Sequence, residues 1–235
     1  MSVGIMQPYF FPNLGHFSLI HATDQWIIFD KVQFIRHGWI ERNRILKPVE
    51  GWQYISVPLV KHGRDTLIRD VLIRNDEDWK LKIIKQLEHY KKRAPYYADV
   101  MAFLEECFLF ETESITLFNA HTLKCTCAYL GIPFNYQVFS EMDLEIEPVA
   151  GPGDWALNIS KALGTDQYIN PPGGRELFDK EKFTANGIRL NFLQAKPVTY
   201  AQRREQFEAG LSILDVMMFN PKERILEMLN EFELS

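Results

Sequence analysis

The chain has 235 residues, of which 46% are hydrophobic and 24% charged, and its net charge is −5. These values are typical of a globular domain, and the acidic balance argues against a general nucleic-acid-binding surface. The three cysteines are an odd set, and the sequence has neither a basic-then-apolar leader nor an apolar run of about 18 residues, so we expect a cytoplasmic protein without membrane insertion.

The first thirty residues predict a βαβ unit. The apolar run at 3–11 fits a buried strand, residues 13–23 carry apolar side chains at helical spacing, and the β-branched and aromatic run at 26–30 fits a second strand. Two strands joined by a helix of about ten residues lie parallel. The segment therefore predicts a parallel sheet.

The next hundred residues predict an inserted hairpin followed by a helical layer. Alternating side chains at 52–60 and 67–74 predict an antiparallel hairpin within an insertion at 48–75. Residues 76–131 carry helical periodicity, with Ser114 as a helix cap and Gly131 as a helix end.

The remaining pattern completes a single α/β domain over residues 1–235, with a mostly parallel sheet flanked by helices. Its predicted strands lie at 133–139, 166–170 and 188–193, and its predicted helices at 154–163, 200–208, 211–217 and 221–232.

The loop after the first strand carries the sharpest functional signal. A Pro-x-x-Gly-His segment opens a helix at Asn13, so free N–H groups and the positive end of the helix dipole face the strand ends. Gly15 allows close backbone approach, and His16 can donate to a phosphate oxygen. The arrangement resembles the nucleotidylyltransferase-type α/β fold, whose first strand ends in His-x-Gly-His, with Asn13 in place of the first histidine. The alternative is that His16 only caps or packs the helix start.

A basic segment follows the second predicted strand. Residues 31–47 contain five Lys or Arg side chains against one acid, Glu41, which predicts a funnel for an anionic ligand. Arg36 and Arg42 supply planar forks for phosphate or carboxylate, and Trp39 can stack on a base or sugar. The alternative is a solvated loop with ordinary charges.

Motifs spread from residue 7 to residue 215 resemble the WbqC-like protein family. They are Gln7-Pro-Tyr-Phe-Phe-Pro, Gly15-His16, Asp30-x-Val-Gln33-Phe, Trp39-Ile-x-Arg-Asn43, Tyr168-Ile-Asn-Pro-x-Gly-Gly174, Tyr200-x-Gln202 and Leu211-Ser-Ile-Leu-Asp215. The resemblance implies a bacterial protein encoded among genes for O-antigen and other surface polysaccharides. It also implies a transferase acting on, or alongside, nucleotide-activated sugars.

We assign roles on that basis. His16 and Arg42 are expected to hold phosphate and stabilise developing negative charge, and Asp30 to act as a general base or to bind a divalent ion such as Mg²⁺ carried by a nucleotide. We expect no resident cofactor and no protein metal site. The expected substrate-binding residues are Gln7, Tyr9, Asn13, Gly15, Gln33, Arg36, Trp39, Asn43, Asn170, Gly173, Gly174 and Gln202.

Two alternatives remain open beside the transferase that binds a nucleotide or sugar nucleotide. One is a non-catalytic accessory protein that binds a sugar nucleotide and assists glycan-biosynthesis enzymes. The other is an enzyme that activates an amino acid and transfers it to an amino sugar. A serine triad is not expected, because Ser212 is placed as a helix cap and no Gly-x-Ser-x-Gly elbow occurs.

Overall fold

The apolar run at the N-terminus forms the central strand of the structure. The computed structural model describes all 235 residues. In it, β1 (Ser2–Met6) pairs in parallel with β2 (Gln25–Ile28), and helix α1 (Leu14–His21) connects the two strands along the chain. The predicted βαβ unit is confirmed, although β1 ends at Met6 and not at Phe11. Pro8 and Pro12 interrupt the run, because proline has no N–H to donate to a neighbouring strand.

The main sheet has six strands in the order β5-β2-β1-β6-β7-β8, and all but the last pair are parallel. The predicted α/β class with a mostly parallel sheet is therefore confirmed. The strands not yet given are β5 (Tyr136–Val138), β6 (Gln167–Asn170), β7 (Arg189–Ala195) and the antiparallel edge strand β8 (Phe232–Leu234).

Helices cover both faces of the sheet, so successive residues of β2 point into two different hydrophobic clusters. Trp26 and Ile28 belong to the larger hydrophobic cluster, whereas Ile27 belongs to a smaller cluster on the opposite face. The smaller cluster lies under α5 (Asp154–Ala162) and α6 (Lys180–Ala185). The larger one packs under α1, α2 (Trp79–Leu87), α3 (Tyr97–Phe108), α4 (Ile115–Leu130), α7 (Ile213–Phe219) and α8 (Lys222–Leu229).

The ends of α4 follow directly from local sequence. The Ser114 side chain accepts a hydrogen bond from the Leu117 amide at 3.3 Å, and Gly131 ends the helix with φ +72°. Both predicted boundaries are confirmed, because a short hydroxyl side chain and a glycine satisfy the free groups at a helix start and end. No helix combines the length and apolar character that crossing a bilayer requires.

The hairpin is real, but its predicted pairing is wrong. Strand β4 (Trp52–Ser56) pairs with β3 (Arg42–Leu46), which precedes it, and the segment 67–74 contributes only isolated bridges such as Leu59↔Ile73. Pro58 explains part of the difference, since a strand continued through it would lack a ladder donor. The sequence did not predict β3 as a strand, because its two arginines gave the segment a polar, basic character although Asn43 and Ile45 are buried.

The C-terminal prediction also needs correction. Residues 200–208 form no helix, and the predicted helix at 221–232 ends at Leu229, after which the chain forms β8. Gln202 competes with helix formation, because its side chain donates to the Glu208 carbonyl at 2.9 Å and accepts from the Glu208 amide at 2.8 Å. Arg203 adopts φ +50° in the same segment.

Candidate functional site

The sheet order reverses between β1 and β6. The chain leaves β1 toward β2 on one side and leaves β6 toward β7 on the other. In open parallel sheets, ligands bind outside the carboxyl ends of the strands at such a reversal. Two segments start there: residues 7–13, called the N-terminal loop below, and residues 170–174, called the Pro-Gly loop. Their predicted importance thus has a topological basis.

Two buried amides fix the N-terminal loop. The Asn43 side chain donates to the carbonyls of Phe10 and Phe11, at 3.0 Å each. The Asn119 side chain, from α4, donates to the Pro8 carbonyl at 2.8 Å. Both asparagines are at most 3% exposed, so leaving these carbonyls without donors would cost free energy. The loop is therefore held in one conformation by the layers around it.

Phe11 carries backbone strain at the centre of this loop. Its φ is +37°, in the left-handed region that non-glycine residues seldom adopt. The Ser212 hydroxyl donates to the Phe11 carbonyl at 2.7 Å, and the Phe11 ring is buried against Phe103 and Phe108. Strain of this kind costs about 1–3 kcal/mol and is concentrated at functional sites. Here the side-chain burial and the carbonyl clamps offset it.

Helix α1 starts immediately after the loop. The Asn13 side chain accepts from the His16 amide, so Asn13, which we expected to bind substrate, caps the helix. A Cβ atom at Gly15 would lie 3.3 Å from the Ala195 Cβ, so the end of β7 comes close to the first turn. The unpaired N–H groups of that turn lie at the carboxyl edge of the sheet.

His16 is enclosed by aromatic rings. Its ring centroid lies 5.5 Å from that of Tyr9, 6.2 Å from Phe17 and 5.1 Å from Trp26. Burial lowers the pKa of His16 to about 3, and its Nε2 atom is buried without a partner. The ring is therefore neutral at physiological pH. A neutral imidazole can still donate a hydrogen bond, but His16 is buried, so its predicted contact with a phosphate stays a prediction.

Asp30 is also buried. One carboxylate oxygen accepts from the Ser140 amide at 3.0 Å and the other from the Ser140 hydroxyl at 2.6 Å. Burial raises the pKa of Asp30 although both hydrogen bonds favour the ionised form. The contacts join the carboxyl ends of β2 and β5, and a base or metal-ligand role would require Ser140 to release the carboxylate.

Gln7 and Tyr9 are the polar side chains that the N-terminal loop leaves available. Both are partly exposed, and neither side chain makes a hydrogen bond within the protein. Burial raises the pKa of the Tyr9 hydroxyl, which therefore stays protonated and can donate. These two groups keep free hydrogen-bonding capacity beyond the carboxyl end of β1.

The Pro-Gly loop is shaped by its own residues. The Asn170 side chain accepts from the Tyr168 hydroxyl at 2.7 Å and donates to the Pro171 carbonyl at 2.8 Å. A Cβ atom at Gly174 would approach the Asn170 amide to 3.2 Å, whereas Gly173 faces open space. Asn170 therefore orders the turn, and Gly173 leaves the backbone open to a ligand.

The predicted residues of the basic segment lie elsewhere, around the β3–β4 hairpin. Gln33 and Arg36 are exposed and donate to the carbonyls of Arg64 and His62. The side chain of Trp39 is exposed, and its carbonyl accepts from the Phe10 amide at 2.8 Å. Arg42 lies on the outer face of the hairpin, whereas its neighbour Asn43 faces inward and holds the N-terminal loop. Asn43 thus has a positioning role.

Gln202 belongs to a buried cluster away from the strand ends. It donates to the Asp215 carboxylate at 3.2 Å, and the hydroxyls of Tyr90 and Tyr200 donate to the same group at 2.5 and 2.6 Å. Burial raises the pKa of Asp215 to about 6, against the effect of these donors. The Leu46 amide donates to the Tyr90 hydroxyl, so the cluster ties the hairpin to α7.

The sequence did not reveal that Asn119 and Ser140 contact the residues of the candidate site. It also did not reveal that Ser212 holds the Phe11 carbonyl. Ser212 does cap α7, as predicted, through the Leu214 amide. Its hydrogen bond to Phe11 and the hydrogen bond from Asn119 to Pro8 each span more than 100 residues. No local pattern carries such information.

Comparison with known proteins gives two matches. A family model described as the WbqC-like protein family matches residues 7–227. The chain is also similar to "Uncharacterized protein Rv1507c" of Mycobacterium tuberculosis (strain ATCC 25618 / H37Rv), at 31% identity over 221 residues that cover 93% of each chain. No solved structure matches. The family match spans both loops of the candidate site.

Proposed function

The chain belongs to the WbqC-like protein family, and we propose that it is a cytoplasmic transferase of bacterial surface-glycan biosynthesis, of the O-antigen type. Its substrate would be a nucleotide, a sugar nucleotide or another phosphate-bearing molecule, bound between the N-terminal loop and the Pro-Gly loop. The observation that carries the proposal is the strained, amide-clamped N-terminal loop at the point where the strand order reverses.

The geometry supports a revised set of roles. The first-turn N–H groups of α1 other than that of His16 face the phosphate, because they lie at the positive end of the helix. Gln7 and Tyr9 contact the ligand through their free polar groups. His16 and Asp30 act as positioning residues, the first by packing on Tyr9 and the second by joining two strand ends through Ser140.

One observation favours a second candidate, the accessory protein that binds a sugar nucleotide without converting it. The two titratable side chains expected to be catalytic, His16 and Asp30, are both enclosed and neither is free to exchange a proton with a ligand. A binding protein needs only the loops and their donors. The two candidates share the site and differ in whether a product forms.

Ligand-dependent thermal stability tests the shared site. The melting temperature is measured with ATP, CTP, UTP, dTTP and common sugar nucleotides, with and without magnesium. A ligand at about 100 times its Kd stabilises by about 2.7 kcal/mol, a shift of roughly 5–10 °C for a chain of this size. We expect one ligand class to shift the wild type and Gln206→Ala, an exposed glutamine without a side-chain partner, but not Gln7→Ala.

Two results would contradict the proposal. A panel that shifts nothing removes the nucleotide, and an equal shift in Gln7→Ala moves the site away from β1. If a ligand binds at Gln7, incubation with candidate acceptor sugars separates the two candidates, since only the transferase releases nucleotide or pyrophosphate. Pyrophosphate release from ATP plus an amino acid would indicate the amino-acid-activating alternative.

A further inference from the structure

The outer face of the β3–β4 hairpin combines arginines with aromatic rings. The register pairs Arg44 with Tyr54 and Arg42 with Ser56, so these residues share the face opposite to the buried Asn43 and Ile55. Trp39 and Trp52 adjoin the same face. This set, Trp39, Arg42, Arg44, Trp52 and Tyr54, is called the arginine–aromatic face below.

Stacking fixes both guanidinium groups. The Arg42 guanidinium lies 4.0 Å from the Tyr54 ring centroid, and that of Arg44 lies 5.4 Å from Trp39 and 5.1 Å from Trp52. The rings lie close beside the guanidiniums, and because the Nε of each is buried, the Nη groups are the donors that remain. An arginine held in this way loses little side-chain entropy when its edge binds a planar anion.

Neither arginine forms an ion pair, although the Glu41 carboxylate accepts from the His37 amide on the residue that Arg42 also contacts. Arg42 donates to the His37 carbonyl at 2.5 Å and Arg44 to the Gly210 carbonyl at 3.0 Å, in each case through Nη2. Nη1 of each side chain has no protein partner, and all the ion pairs of the protein lie elsewhere. Both arginines are half-buried, and the Nε of each is buried without a partner, so Nη1 is the donor that each side chain keeps free on a protein of net charge −5.

The spacing suits a ligand larger than a single ion. Residues two apart on one face of a strand are separated by about 6.8 Å, so the two forks can engage one extended ligand. Trp39 is 40% exposed and has ring surface left for an apolar sugar face. Aromatic surface beside arginine forks matches a saccharide that carries negative charge.

We propose that the arginine–aromatic face binds an anionic saccharide, meaning a sugar bearing a phosphate or a carboxylate, at a site separate from the one above β1. Arg42 and Arg44 hold the anionic group, and Trp39 packs against the sugar ring. The inference does not depend on the proposed function, because its residues lie on or beside the two-stranded β3–β4 sheet, whereas the proposed substrate site lies at the edge of the six-stranded sheet.

Calorimetric titration with three probes tests it: glucose 1-phosphate, glucuronic acid and uncharged glucose. The variants are Arg42→Gln, Arg44→Gln and the double substitution, with Arg224→Gln as the matched control. Arg224 is an exposed arginine paired with Glu227 on α8, far in sequence from the hairpin. Melting temperatures confirm that each variant is folded.

We expect the double variant to weaken binding of the preferred anionic probe by about tenfold or more, since it removes two charge-assisted hydrogen-bond donors. Arg224→Gln should bind as the wild type does, and glucose should bind far more weakly. Comparison of the two anionic probes identifies the source of the charge, phosphate or carboxylate.

Three outcomes would overturn the inference. They are the absence of binding by either anionic probe at millimolar concentration, equal affinity in the double variant, and equal affinity for glucose. A probe whose binding is lost in Gln7→Ala but kept in the double variant would contradict this inference and support the site above β1. Loss in the double variant, with nucleotide-dependent stabilisation absent, would support this site and contradict the proposed function.

Discussion

The buried carboxylate of Asp215 should make stability depend on pH in an identifiable way. In the unfolded chain its pKa is that of an ordinary aspartate, 3.8, and burial in the folded protein raises the pKa to about 6. Between these two values the folded protein holds a proton that the unfolded chain has lost. The free energy of unfolding therefore rises as the pH falls through 6.

The magnitude follows from the shift. A difference of about two pKa units corresponds to about 3 kcal/mol in all, of which about 1.4 kcal/mol falls between about pH 7.5 and about pH 5. Asp215→Asn keeps the size of the side chain and removes its titration. The wild type minus variant difference in unfolding free energy should thus grow by about 1.4 kcal/mol over that interval.

Urea unfolding followed by tryptophan fluorescence measures this difference at both pH values. Asp143→Asn, which removes an exposed acidic side chain, controls for the general loss of negative charge. A difference independent of pH would refute the raised pKa. If the donors Tyr90, Tyr200 and Gln202 outweigh burial and hold the carboxylate ionised, the difference will be flat over this interval and will shrink only below about pH 4.

Three further predictions concern packing and protonation. Gly153→Ala should destabilise the protein by more than about 2 kcal/mol, because the added Cβ would lie 2.0 Å from the Leu177 carbonyl oxygen. Gly151→Ala is the control, since its Cβ would meet only a side-chain atom at 4.0 Å, and thermal unfolding compares the two variants. The His16 imidazole should remain neutral throughout about pH 5–8, and NMR signals of its ring should show no titration there; a protonated ring would refute its enclosure. Asn119→Leu should lose about 2–5 kcal/mol in urea unfolding, because two main-chain carbonyls lose their donor, and an unchanged midpoint would contradict the clamp.

The sequence predicts those features that depend on neighbouring residues. The caps of α4 at Ser114 and Gly131 and the parallel βαβ unit follow from local chemistry and spacing. The hairpin partner could not be predicted, because Arg42 and Arg44 make β3 read as a polar loop until their stacking on Tyr54 and Trp52 is known.

The sequence placed some of the candidate site residues relative to the sheet but did not show which of them are buried. Gln7, Asn13 and Gly15 were placed by the motif at the strand end, and the structure brings them to the edge where the sheet order reverses. Asn43 and His16 were expected to touch substrate but are buried, the first holding carbonyls and the second packed among rings. Burial of a polar side chain is decided by tertiary packing, which a single sequence does not display.

The clamps on the N-terminal loop also bear on how the protein folds. The residues that hold the loop lie 32, 111 and 201 positions away along the chain from their partners, at Asn43, Asn119 and Ser212. Contacts of such high sequence separation carry a large loop-closure entropy and form slowly. The loop therefore reaches its strained geometry only when segments from both halves of the chain have docked. A fragment that lacks α7 would retain the N-terminal motif but would lose the hydrogen bond from Ser212 that holds the Phe11 carbonyl.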